Sequence, residues 1–261
     1  MTVGPVHAVV LAGQRSVKTP LGEAANVAAD VMVSVAGRPA LLRVLDALSA
    51  SQQVRPSVLV GPNRSILEES TELRALIHEH GLAWCEPKDD PVTSSIAGIE
   101  GLGTPLLLTT GDHALLTPAT VDEFCGEARE SDADLVVGLV SHKLVRDAFP
   151  GNRRTVLRFA DGHCCGANLF WLNRPRGIRA LEFWRDIQQH RKRPQRIARE
   201  LGVGFLWRYL FGRLVLSRAL EDLSSRTGCR LGAVKLNDAK AAVDVDSIAD
   251  WQLAERILTG D

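Results

Sequence analysis

Short apolar runs alternate along the chain with longer stretches whose apolar positions recur at helical spacing. VHAVVLAG over 6–13 is followed by PALLRVLDALSAS, PSVLVG, SILEESTELRALIHEHG, LAWC, an amphipathic segment near 94–101 and TPLLLTT. Such alternation predicts buried parallel strands joined by crossover helices. Past Asp112 the pattern predicts a helix over 118–130, capped by Thr117 with Pro118 in its first turn, and then a strand over 134–141. TVLRFA at 155–160 and CCGANLFWL at 164–172 read as strands joined by a hairpin turn at Asp161-Gly162. Residues from about 176 to 226 read as helical, forming an insert before RLGAVKL and AAVDV resume the sheet. DSIADWQLAERIL closes the chain as a helix with Ser247 as its cap.

The expected fold is therefore α/β: a three-layer, Rossmann-like domain over 1–261 with a mostly parallel, mixed central sheet and a helical insert at about 176–226. With 261 residues, 45% of them hydrophobic, the chain can bury a full core. Lys plus Arg and Asp plus Glu both number 31, so no net field points to nucleic acid as a partner. Five cysteines without paired CxxC spacing fit reduced thiols, and a cytoplasmic setting is the expectation. No run reaches the roughly eighteen apolar residues of a membrane span, and the run at 6–13 is short for a signal peptide.

Several polar residues fall where chemistry could occur. Asp112 ends the apolar run before a helix, and in open α/β sheets ligands bind in the crevice outside the strands' carboxyl ends. A carboxylate there suits a divalent cation carrying phosphates, or the cap of a turn. The loop after the first strand offers Gly13, whose neighbouring backbone amides and Arg15 could meet phosphate oxygens. Ser94 and Ser95 stand near a helix start, where capping and ligand contact are both open to them. Asn168 places an amide inside an apolar strand. Asp244 and Asp246 alternate with Val243 and Val245, so two carboxylates share one face, and their repulsion calls for a cation or donors.

Taken in order, VVLAG, VAGRPALLRVLDAL, TTGDHALL, CGANLFWL and VDVDSIADW resemble the motifs of the nucleotidyltransferase superfamily with a glycosyltransferase-A-like fold. They resemble in particular the group related to molybdenum-cofactor guanylyltransferases and methylerythritol phosphate cytidylyltransferase. The resemblance implies transfer of a nucleoside monophosphate from a nucleoside triphosphate, CTP or GTP, to a small phosphorylated acceptor with release of pyrophosphate. It further implies Mg2+ held by Asp112 and Asp246, nucleotide contacts at Leu11, Ala12, Gly13 and Ser95, and Asn168 facing the acceptor. Relatives commonly carry a lysine shortly before the V-x-G-R-P segment. Here Asp30 stands about there, which leaves Arg15 and Lys18 of the opening loop as the cations for the triphosphate. Two other readings stay open: a catalytically silent nucleotide-binding or scaffolding homologue, and a glycosyltransferase using a nucleotide sugar.

The insert adds a further feature. Residues 191–211 mix Arg191, Lys192, Arg193, Arg196 and Arg199 with Phe205, Trp207, Tyr209 and Phe211. Peripheral membrane contact, a homodimer surface, or a helix packed on the sheet with its arginines outward are the three readings of that pattern.

Overall fold

The structure is a computed structural model that describes residues 4–14, 19–189 and 194–260. Its strands are β1 Val6–Leu11, β2 Ser34–Val35, β3 Arg38–Pro39, β4 Val54–Val60, β5 Ala83–Cys85, β6 Leu106–Thr110, β7 Leu135–Ser141, β8 Leu157–Phe159, β9 Gly162–Leu172 and β10 Leu231–Leu236. The helices are α1 Pro20–Ala25, α2 Ala40–Ala50, α3 Arg64–Glu69, α4 Thr71–Glu79, α5 Pro91–Ile99, α6 Pro118–Glu130, α7 His142–Ala148, α8 Ile178–Gln189, α9 Pro194–Leu201, α10 Val203–Leu210, α11 Leu216–Thr227 and α12 Ile248–Thr259. The main sheet runs β10-β7-β9-β6-β1-β4-β5, with β8 added beside β9. β9 lies antiparallel to β6, β7 and β8, and the other pairs of this sheet are parallel.

Successive strand side chains point to opposite faces, so a strand apolar at every position needs cover on both sides. In β1, Ala8 and Val10 enter one core while Val9 enters the other; in β6, Leu107 goes one way and Leu106 and Leu108 the other. Leu41, Leu45 and Leu48 of α2, Leu73 of α4 and Phe124 of α6 cover the first face. Val92 and Ile99 of α5 with Ala180 and Leu181 of α8 cover the second. The mixed sheet with helices on both sides is thus a consequence of the apolar strands.

A third, smaller core lies under the functional edge of the sheet. Leu21, Val33, Val35, Ala114, Leu115, Val243, Val245, Leu253 and Ala254 pack together there. It fixes the residues flanking Asp112 and Asp246.

Local departures from the sequence pattern have identifiable causes. The stretch expected as one helix from Ser65 is two, α3 and α4, because Ser70 leaves helical geometry and its hydroxyl accepts from Leu73 N at 3.1 Å. The segment near 94–101 begins earlier, at Pro91, since Asp90 caps it by accepting from Val92 N at 3.0 Å and Thr93 N at 2.9 Å. The hairpin turn is Ala160-Asp161, with Gly162 already paired to Phe159. α7 follows β7 without a loop signal in the sequence. AAVDV is not a strand: Ala239–Ala242 form a 3-10 turn and Val243 onward is extended without a sheet partner. The insert is broken by short connections into α8 to α11, and α12 starts after Ser247, whose hydroxyl accepts from Asp250 N at 3.2 Å.

Candidate active site

Asp112 follows β6 at the carboxyl end of the sheet, in a tight turn in which Ala114 N donates to its carbonyl at 2.9 Å. The same carbonyl accepts from Val245 N at 3.0 Å. That bond draws the 243–247 segment alongside Asp112. Val243 and Val245 are buried, so the alternation between them carries Asp244 and Asp246 out of the small core.

The two aspartates then divide. Asp244 is clamped: Asn168 Nδ2 donates to Asp244 Oδ2 at 3.0 Å, and Arg154 Nη1 pairs with Asp244 Oδ1. Arg154 Nη2 also reaches Asp250 Oδ1 at 2.8 Å, and the arginine side chain is 9% exposed. Asp246 is left at the solvent edge facing Asp112. Burial pushes the Asp112 carboxyl up to about 7; the Thr110 hydroxyl opposes this, and the charges of Asp246 and Asp244 add to it. The Asp246 carboxyl is raised too, by burial first and then by Asp244 and Asp250, with Arg154 opposing. Asp112 Oδ1 is buried with no hydrogen-bond partner. An orphaned carboxylate oxygen beside a second carboxylate suits a hard divalent cation, which prefers oxygen ligands. Among the described residues no group of three or more His, Cys, Asp and Glu gathers around a common point, so protein ligands would supply part of such a shell. Mg2+ commonly binds through one or two carboxylates, completing its shell with water and substrate phosphates.

Next to Asp112, His113 is fully buried, and burial holds its pKa below the ordinary histidine value. Its ring lies near the backbone of Lys240 in the 3-10 turn.

The opening loop lies across the same edge. Gly111 N donates to Leu11 O at 2.8 Å and Ala12 N to Val60 O at 2.8 Å, which ties Leu11 and Ala12 to β6 and β4. Gly13 passes Gly61 closely: a Cβ on Gly61 would lie 2.8 Å from Gly13 Cα. Gly61 also has φ +87°, a conformation glycine adopts without steric cost. Arg15 and Lys18 lie outside the described residues. Asp30 donates its N–H to Gln14 Oε1 at 2.9 Å, and its carboxylate accepts from the Thr19 hydroxyl, which also caps α1. These bonds tie the two sides of the loop together.

Two expected ligand contacts have structural partners. Ser95 is buried and its hydroxyl donates to Pro91 O at 2.7 Å within α5. Asn168, with φ +50°, turns its amide to Asp244. The sequence brings Leu11, Ala12, Gly13, Asp112 and Asp246 to one edge, with Asn168 joined to it through Asp244. It gave no sign of Arg154, which sits in an irregular stretch after α7 with no periodicity to mark it, nor of Gly61, whose role depends on a neighbour from another strand.

A mixed, mostly parallel sheet with helices on both faces thus places a carboxylate at its carboxyl edge beside a glycine loop. Residues 8–200 match the MobA-like NTP transferase domain family, and the chain belongs to it. A solved structure described as a hypothetical transferase from Thermus thermophilus is 27% identical, with TM-score 0.77 over 95% of this chain and 99% of that one. The 4-diphosphocytidyl-2C-methyl-D-erythritol synthase of Anaerococcus prevotii shares the fold at 11% identity and TM-score 0.60, covering 98% and 96% of the two chains. A CMP:2-keto-3-deoxy-manno-octonic acid synthetase complexed with CTP does so at 10% identity and TM-score 0.57, over 99% of each. No curated protein matches the chain by sequence.

Proposed function

We propose that the chain transfers a nucleoside monophosphate from CTP or GTP to a small phosphorylated acceptor, releasing pyrophosphate, with Mg2+ held by Asp112 and Asp246. The observation that carries this reading is the pair of carboxylates, one with an orphaned buried oxygen, at the sheet edge where the Gly13 loop also ends. In the reaction an oxygen of the acceptor phosphate forms a bond to the α-phosphorus, and the α–β bridging bond breaks with its electron pair leaving on pyrophosphate. An acceptor phosphate is already anionic near neutrality, so the protein need not remove a proton. When bound, the cation would offset negative charge that builds on the transferring and leaving phosphates.

The chain's own groups do the positioning. The bonds of Leu11 and Ala12 to β6 and β4 fix the loop that faces the nucleotide, and the close approach of Gly13 to Gly61 keeps side chains out of that path. Arg154 and Asn168 hold Asp244, and thereby set the backbone that presents Asp246. Arg15 and Lys18 are assigned to the pyrophosphate. Incubation of the protein with each triphosphate, Mg2+ and a panel of phosphorylated alcohols and sugars, read by pyrophosphate release, tests the proposal. Activity should fall roughly 100-fold or more in Asp112→Ala, as for loss of a main electrostatic stabiliser. Cleavage of a nucleotide sugar with no use of any triphosphate would refute it.

A further inference from the structure

Helix α10 is apolar on two opposite faces, and one face is enough to hold it. Phe205 and Tyr209 turn inward onto the cluster of Leu139, Phe159, Leu214 and Leu216, and Tyr209 Oη accepts from Arg158 N at 3.4 Å. The other row, Val203, Trp207 and Leu210, with Phe211 just beyond, points outward at 74%, 47%, 77% and 64% exposure. These are the largest side chains of a contiguous apolar face that nothing within the described chain covers. Trp207 and Phe211 meet at a tilt of 41° with ring centroids 5.0 Å apart, and the Arg213 guanidinium lies 5.2 Å from the Trp207 ring centre. Exposed apolar groups so grouped mark a surface that meets something else.

Charge indicates what that is. The whole chain is neutral, yet residues 176–226 hold twelve Lys or Arg against five Asp or Glu, a net charge of +7. The rest of the chain holds the remaining nineteen against twenty-six, a net charge of −7. Arg208 and Arg218 are paired with Asp222 at 2.6 and 3.2 Å, whereas Arg199 of α9 and Arg213, over Trp207, are exposed. A second copy docked by two-fold symmetry through this face would set positive insert against positive insert. An anionic surface that also accepts apolar side chains matches both properties at once, and tryptophan with flanking arginine suits the headgroup boundary of a bilayer.

We propose that α10 docks the protein peripherally on an anionic lipid bilayer, with Val203, Trp207, Leu210 and Phe211 entering the headgroup boundary and the insert's arginines meeting lipid phosphates. No helix among the described residues is long and apolar enough to cross a membrane, so the contact is along the surface. This holds whichever nucleotide the site uses.

Sedimentation of the full chain with vesicles of phosphatidylcholine alone, and with about one quarter phosphatidylglycerol, tests it. Binding is expected to the anionic vesicles and to fall when salt rises from 0.1 to 1 M, as the screening length drops from about 10 to about 3 Å. The combined Trp207→Ser, Leu210→Ser and Phe211→Ser variant should keep its melting temperature and partition at least about tenfold more weakly, since these apolar side chains are exposed in the free protein. Arg199→Ala with Arg213→Ala should weaken anionic binding while every apolar side chain of the row is kept. Absence of binding, equal binding to pure phosphatidylcholine, or an unaffected triple serine variant would overturn the proposal. So would a dimer in sedimentation equilibrium that the triple serine variant dissolves, which would assign the face to a second copy.

Discussion

Asp112 and Asp244 show how two neighbouring aspartates acquire opposite duties. Asp244 has cationic and amide partners and serves to hold its segment; Asp112 has one oxygen without any, and the Thr110 hydroxyl only partly offsets its burial. Two outcomes follow at this scale. In chelator, Asp112→Asn should be at least as stable to urea as the parent, because a carboxyl whose folded pKa is raised to about 7 loses stability as pH climbs from near 4, where the unfolded chain ionises, to about 7. A large loss of stability would make Asp112 a structural residue. Replacing Arg154 by Met leaves Asp244 and Asp250 without their shared cation in a nearly buried setting, and should cost about 3–5 kcal/mol in denaturant unfolding. The sequence displayed the alternation around Asp244 and Asp246 but could not separate their roles, since the residue that separates them lies ninety positions away.

At the scale of elements, the strands were legible because their apolar runs are long and bounded. β1 and β6 fall where the pattern places them, and Asp112 with them. What was not legible rests on tertiary partners or on single polar side chains: the Ser70 break, the earlier start of α5, and the 243–247 segment, whose strand-like alternation arises because valines are buried against α12 and the β2–β3 hairpin instead of in a sheet. The two helix starts are side-chain caps that compete with apolar periodicity. Removing the α5 cap by Asp90→Ala should cost about 1 kcal/mol near neutral pH. Partial burial raises the Asp90 carboxyl, but the Thr93 hydroxyl and the amides of Thr93 and Val92 outweigh it and hold the pKa below the usual range. The contribution is therefore present above the unfolded value near 4 and lost as pH falls through the folded one, so the gap between parent and variant should close in acid unfolding curves. Packing of α5 on the sheet is equally specific. A Cβ on Gly98 would lie 2.3 Å from Val60 Cγ2, and Gly98→Ala should destabilise by about 1–3 kcal/mol in the same measurement.

For the whole molecule, the fold presents two surfaces of opposite character. The sheet's carboxyl edge, with its small supporting core, presents paired carboxylates and a glycine loop; the helical insert presents cations and exposed apolar rings. The chain as a whole has no net charge, because the insert's positive charge is balanced by the rest of the chain. The overall family was readable from five motifs in order, of which VVLAG and TTGDHALL run off the ends of β1 and β6 and VDVDSIADW lies alongside Asp112. Which base and which acceptor are chosen was not, because backbone groups and pocket shape decide them. The central claim is that Asp112 and Asp246 join a divalent cation to a nucleoside triphosphate, and its most direct test is thermal unfolding with CTP or GTP and Mg2+. A ligand near 100 times its dissociation constant stabilises by about 2.7 kcal/mol. The account predicts a clear rise in melting temperature with Mg2+ and one of these two triphosphates, abolished by chelator and by Asp112→Ala; no rise with either, or an equal rise in the variant, would contradict it.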